Sequence, residues 1–184
     1  MPFIARTARV LAAVVAIAVA APGTAQAAVR APKVGGGVIT DRLSAAGRTY
    51  FAGSFTTVRD RTGKAVRRPY LVAYRTSNGR LLPLFQPHLD GAVRDLAVSP
   101  DHRWLYLAGS FRTASGMTSR RVAKIDASTG AADALFRPAS INGVVSGVAL
   151  SGQRLVITGT FSTVGGVARH GKAVLDPATG AVQP

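Results

Sequence analysis

From about residue 38 onward, apolar residues fall in short runs and alternations that stop at clusters of Gly, Pro, Asn and Ser. Val93-Arg94-Asp95-Leu96-Ala97-Val98 alternates and then meets Ser99-Pro100-Asp101. Strand side chains point to alternate faces, and Ser, Pro and Asp favour turns, so this stretch predicts a strand and its turn. Trp104 to Ala108 predicts a second strand, ending at Gly109. A loop over Thr113 to Ser119 leads to a third, Val122-Ala123-Lys124-Ile125-Asp126, closed by Ser128-Thr129-Gly130. Leu135-Phe136-Arg137-Pro138 predicts a short fourth strand.

The same order recurs on both sides. Gly53-Ser54-Phe55, Gly109-Ser110-Phe111 and Gly159-Thr160-Phe161 each follow an apolar run and precede Thr57, Thr113 or Thr163. The interval is about fifty residues, the signature of stacked supersecondary units. The first unit predicts a third strand at Tyr70–Tyr74, a turn at Asn78-Gly79 and a fourth strand at Leu82–Phe85. The last predicts strands at Val145–Leu150, Leu155–Thr158 and Ala173–Asp176. Gly79, Gly130 and Gly180 keep register, as do Phe85-Gln86-Pro87 and Phe136-Arg137-Pro138. The expectation is an all-β chain of three four-stranded antiparallel blades, over about 38–87, 92–138 and 144–184, forming part of a β-propeller.

Each marker has a physical reason. Gly53, Gly109 and Gly159 permit a tight turn or a close approach where a Cβ would clash. Phe55, Phe111 and Phe161 can pack between sheets and bury large apolar areas. Asp126 and Asp176 can accept N–H bonds in the following turn, while Gly130 and Gly180 supply positive φ. Arg75 replaces the Asp in the first unit, where Asn78-Gly79 is itself a strong hairpin signal.

This pattern resembles the secreted bacterial delta-sixty-type β-propeller repeats, which are kelch-like in outline. The best match is Phe161-Ser162-Thr163-Val164-Gly165-Gly166-Val167-Ala168-Arg169 followed by Asp176-Pro177-Ala178-Thr179-Gly180. The resemblance spans roughly Val38 to Gln183. It implies a propeller and export, and no defined activity or catalytic residue.

Closed propellers have about 4–8 blades. Three units form an open arc, and the last is clipped, because no Phe-x-Pro follows Gly180. Two accounts stand side by side. The chain is a shortened piece of a longer propeller, as a stop inside a unit favours, or two copies meet head-to-tail as a homodimer and close a six-bladed ring.

Composition narrows the chemistry. Residues 1–27 read as a signal peptide: Arg6 and Arg9 precede an apolar run from Val10 to Ala21, and Ala25-Gln26-Ala27 is a small-x-small cleavage site. The apolar run is shorter than the roughly 20 residues a membrane span needs, so the expected product is soluble and extracellular. Residues 28–37 read as a Gly/Pro linker. The chain has no Cys, which excludes disulfides, thiol catalysis and Cys-ligated metals. Its eight acidic residues are all Asp, against 23 Lys and Arg, for a formal net charge of +15. Such a balance favours anionic partners: cell-wall polymers, acidic polysaccharide, phospholipid headgroups or nucleic acid. Compositional bias accounts for the charge more simply, and no specific nucleic-acid recognition is expected.

The loop before the third strand is basic in every unit: Arg67 and Arg68, Arg120 and Arg121, Arg169 and His170. The first unit adds Arg59, Arg61 and Lys64. On a propeller these loops share one face, so they are the candidate site for an anionic ligand. The competing reading makes these arginines structural, packed on a neighbouring blade or paired with a turn Asp. It is adopted for Arg169, and the binding reading for the Arg59–Arg68 loop. His88, His102 and His170 have no metal-ligand spacing. No nucleophile elbow, Walker loop or dinucleotide fingerprint is present. Asp95, Asp101 and Asp126 have nothing to mark them as glycosidase carboxylates, and Trp104 reads as core. No catalytic residue, metal or cofactor is expected. The functional expectation is a non-catalytic binding or scaffold module; the alternative is a fragment of a quinoprotein-like or hydrolytic enzyme.

Overall fold

The computed structural model describes residues 29–184, and the expected leader lies outside them. Among the described residues the chain is all-β, and no helix is long and apolar enough to cross a membrane. After a two-residue strand β1 (Val34–Gly35), the first sheet is built from β2 (Ile39–Ala45), β3 (Arg48–Gly53) and β6 (Leu71–Arg75). Between its last two strands lie β4 (Thr57–Arg59) and β5 (Ala65–Arg67), which pair with each other, and β4 pairs with β1 on its other edge. Thus Val34–Gly35, inside the stretch read as a linker, is hydrogen-bonded strand.

The second sheet joins β7 (Val93–Val98), β8 (Trp104–Gly109) and β11 (Val122–Asp126). It carries a hairpin of β9 (Thr113–Ala114) and β10 (Met117–Thr118). The third joins β12 (Val145–Ser151), β13 (Arg154–Gly159) and β16 (Lys172–Leu175), with a hairpin of β14 (Thr163–Val164) and β15 (Val167–Ala168). In each sheet the second strand is central and all pairings are antiparallel.

The sheets have three strands, not the expected four. The predicted fourth segments form no strand; a single bridge precedes each, Tyr74 to Leu81 and Ile125 to Ala132, and the third sheet has the equivalent bridge from Leu175 to Val182. Beyond the bridge the chain turns, with Phe85 N–H donating to Leu82 and Phe136 N–H to Asp133. It then crosses to the next sheet. Gln86 N–H donates to Thr129 at 2.8 Å and Arg137 N–H to Thr179 at 2.7 Å. Phe85 and Phe136 are buried between sheets as a result. Burying a Phe stabilises by roughly 2–3 kcal/mol, more than a short edge strand containing Pro83, which has no N–H, could offer. Phe-x-Pro is therefore a latch onto the following sheet.

Alternation on the strands makes every sheet two-faced. Tyr50 and Leu71 of the first sheet meet Leu105, Leu107, Phe111 and Ile125 of the second. Tyr106 and Val122 of the second meet Leu155, Ile157, Phe161 and Leu175 of the third. Phe51, Phe55, Val58, Val72 and Tyr74 form a further cluster with Val29 and Val34 on the other face of the first sheet. The first strands β2, β7 and β12 are neighbours in sequence order, so the sheets converge on that side.

The glycines after each second strand are required by close approach. A Cβ on Gly53, Gly109 or Gly159 would overlap the carbonyl oxygen of Val38, Ala92 or Val144 respectively. The turn glycines behave as expected: Gly130 and Gly180 have φ of 82° and 77°. Asp126 Oδ1 accepts the N–H groups of Ser128 and Thr129 at 2.8 and 2.9 Å, and Asp176 Oδ1 those of Ala178 and Thr179 at 2.9 and 2.7 Å. The first turn does without the Asp, because Asn78 Oδ1 accepts from Arg80 and Gly79 N–H from its side donates to Arg75.

Candidate anion-binding site

Antiparallel pairing puts Gly53, Gly109 and Gly159 at one end of their sheets, together with the three small hairpins and the linkers that enter the next sheet. Arg59 and Arg61, expected in this loop cluster, instead line a cleft with Asp60 beside Thr76, Asn78 and Gly79, the turn at the opposite end, and Lys64 is tied to Asp60 there; Arg67 and Arg68 are at the hairpin end. So are Arg120, Arg121, Arg169 and His170. Arg112, which the sequence reading missed, joins them; it occupies the position of Thr56 and Ser162, so no periodic signal marks it.

Acidic residues are distributed otherwise. Asp101, Asp126 and Asp176 belong to turns at the opposite end, and Asp133 pairs with Lys124 at 2.8 Å, the one ion pair among the described residues. Asp41 and Asp95 lie between sheets, accepting the N–H groups of Leu96 at 3.0 Å and Val148 at 2.7 Å. Asp60 lies beside the opposite-end turn and Asp90 at the hairpin end, and both are occupied by donors. Asp60 is held below the usual carboxylate value by the Thr62 hydroxyl and by the N–H groups of Thr62 and Lys64. Burial raises Asp90, but the N–H groups of Thr113 and Arg112, at 2.9 and 2.8 Å, outweigh it and lower the carboxyl.

The arginines therefore keep their charge without a carboxylate partner. Arg121 Nη1 donates to the carbonyls of Ile141 at 2.6 Å and Gly143 at 2.5 Å, tying its hairpin to the linker of the third sheet. Arg169 donates to Ala168 and Gln183 carbonyls at 3.1 and 3.2 Å. Arg68 reaches the Arg67 and Pro83 carbonyls at 3.1 and 3.4 Å, and its buried Nε has no partner. Arg59 bonds Gly63 O at 2.7 Å. Arg61, Lys64, Arg67 and Arg120 are exposed, with no side-chain hydrogen bond among the described residues. Arg121, Arg169 and Arg68 are thus anchored to backbone carbonyls, not to a turn Asp.

Two clefts open at this end. One, of about 370 Å³, lies between the first and second sheets and is lined by Arg67, Arg68, Pro69, Gln86, His88 and Leu89. The other, of about 380 Å³, lies between the second and third and is lined by Arg112, Thr118, Arg120, Arg121, Ser140 and Ile141. A larger groove of about 740 Å³ runs along the first strands past Leu43, Val98, Leu150 and Val156. Trp104 is half-buried, with Lys124 Nζ 4.4 Å and the Arg103 guanidinium 5.0 Å from its ring centroid. Among the described residues no three His or Asp side chains come together as metal ligands would. No protein-family model matches the chain, and no curated protein matches it.

Proposed function

We propose that the chain is an exported β-propeller-type repeat protein, of the delta-sixty, kelch-like kind, that binds an anionic extracellular polymer through its hairpin end and carries out no catalysis. Three sheets of the same strand order, packed face to face and converging along β2, β7 and β12, support the propeller part of this reading. The observation that carries the binding part is the charge arrangement. Arg67, Arg68, Arg112, Arg120, Arg121 and Arg169 gather at one end with no carboxylate partner, while Asp90, the acid there, is occupied by backbone donors. An end of one sign attracts polyanions over a Debye length and lowers its own repulsion by binding them. Arg67 and Arg120 make no side-chain hydrogen bond among the described residues, so replacing both with Ser should leave the fold intact. Retention of this variant on immobilised anionic cell-wall polymer at low salt should be lost. Retention equal to the unmodified protein would return these arginines to a solvated surface.

A further inference from the structure

We propose that the two clefts flanking the second sheet are two copies of one subsite, each for a single phosphoryl or sulfuryl group, and that together they take neighbouring groups of one linear polymer; this rests on the polymer-binding reading above. Their equivalence follows from hydrogen bonding. Gly53 N–H donates to Tyr70 O and Gly109 N–H to Arg121 O, so Tyr70 and Arg121 hold the same place in successive sheets. By the same count Arg67 corresponds to Thr118, Arg68 to Ser119 and Pro69 to Arg120, and across the cleft His88 corresponds to Ser140. Each cleft therefore has a hairpin wall and a linker wall.

The cations in the two clefts do not come from corresponding positions. Arg67 and Arg68 supply the first, where the second has Thr118 and Ser119; Arg120 and Arg112 supply the second, where the first has Pro69 and Thr56. A motif copied from unit to unit would repeat its arginines in register. Arg68 and Arg169 do so and make like bonds to carbonyls, whereas Arg67, Arg112 and Arg120 have no arginine counterpart, so the two clefts draw their exposed charge from different positions. The second cleft is also held in a costly backbone. Arg120 has φ of 46°, in the left-handed region, where the first cleft has Pro69, whereas Arg121 at 78° shares its conformation with Tyr70 at 68° and Gly171 at 73°. Arg121 bonds the carbonyls of Ile141 and Gly143 and so fixes the distance between the two walls.

The ligand chemistry follows from the placing of the donors. A planar carboxylate is satisfied by one guanidinium fork. Donors on facing walls, Arg67 opposite His88 and Arg120 opposite Ser140, suit a tetrahedral group whose oxygens diverge. Two such subsites on one rigid stack bind a chain more tightly than its separate groups.

The test compares binding of the purified protein to long-chain polyphosphate, inorganic phosphate, polygalacturonate of matched charge and phosphatidylglycerol vesicles. Polyphosphate should bind at least about a hundredfold more tightly than inorganic phosphate at equal phosphate concentration. Arg67→Ser and Arg120→Ser should each weaken polyphosphate about tenfold, and the double variant about a hundredfold. Arg154→Ser, on the exposed start of β13 at the opposite end, should stay within about twofold. If Arg154→Ser costs as much as the cleft variants, or polygalacturonate binds as tightly as polyphosphate, the clefts are not subsites, although polymer binding stands. Equal affinity for vesicles would assign the clefts to single lipid headgroups and overturn the polymer. Failure to bind any polyanion would overturn this proposal and the function it rests on.

Discussion

The hydroxyl of Tyr106, in the second sheet, donates to the carbonyl oxygen of Pro177, in the third, at 2.9 Å. Tyr50 makes the corresponding bond one sheet earlier, to Ala127 at 2.7 Å. Each Tyr ring also meets the latch Phe of its own unit, Tyr50 with Phe85 at 5.4 Å and Tyr106 with Phe136 at 6.0 Å. Tyr and Phe-x-Pro therefore act together as the connector from one sheet to the next.

Removing one hydroxyl tests the connector. Tyr106→Phe keeps the ring and should cost about 1 kcal/mol, read as a shift in the denaturant midpoint with unchanged slope. The same residues set the alkaline limit. Burial first, then nearby Asp carboxylates, pushes the Tyr106 hydroxyl from 10.0 up to about 12, and burial does the same for Tyr50 and Tyr74. A folded value above the unfolded one means this stability is full below pH 10 and is lost as pH climbs towards 12. Thermal melts between pH 9 and about 12 should fall accordingly. A flat profile there would contradict burial of these hydroxyls.

Asp41 and Asp95 both accept the N–H of Leu96, at 3.0 Å each, and Asp95 also accepts Val148 N–H at 2.7 Å. A β-bulge at Thr40 and Arg94 offsets the register just before each Asp and turns its carboxylate towards the following sheet. Burial, with the neighbouring Asp95 charge adding to it, raises the Asp41 carboxyl despite its N–H donors. Its contribution therefore grows on acidification and is lost as pH rises through its folded value. Asp95→Ala strands a buried N–H and should cost about 1–3 kcal/mol. Asp41→Asn keeps an acceptor for Leu96 and removes a like charge, so its Tm at pH 7 should equal or exceed that of the unmodified protein. A large fall for Asp41→Asn would show that the charge itself is needed.

Glycine substitutions separate close approach from backbone conformation. Gly109→Ala would drive a methyl group into the Ala92 carbonyl oxygen and should cost at least about 2 kcal/mol. Gly116→Ala meets nothing within 4 Å and is disfavoured only by its φ of +79°, about 1 kcal/mol. Equal losses for the two variants, measured by denaturation, would refute the distinction.

The third sheet lacks the connector on its outward face. Pairing register places Gly147 where the earlier sheets have Asp41 and Asp95, and Val156 where they have Tyr50 and Tyr106. A second copy docked there in the manner of a following sheet would gain neither hydrogen bond. The protein is accordingly expected to scatter light as a monomer at micromolar concentration, and Gly147→Asp with Val156→Tyr to increase self-association. A stable dimer of the unmodified protein would instead favour a ring closed by two copies.

What the sequence determined by itself was local. Strand alternation, the Asp126 and Asp176 turns, the positive φ of Gly130 and Gly180 and the buried Phe55, Phe111 and Phe161 depend on side-chain size and on neighbours a few residues away. Tertiary structure decided the rest. Phe85-Gln86-Pro87 reads as a strand because its apolar pattern is that of a strand; it becomes a latch only because Thr129 and its turn wait on the next sheet. Asp41 and Asp95 look like unremarkable polar positions until the partners of their carboxylates are located 55 and 53 residues downstream. Arg68 and Arg121 both count as candidate ligand contacts in sequence, but the structure anchors each to carbonyls and leaves Arg67 and Arg120 beside them unoccupied. A chain pattern records which groups can bond, whereas the geometry of packed sheets selects which of them have already found a partner and which remain for a ligand.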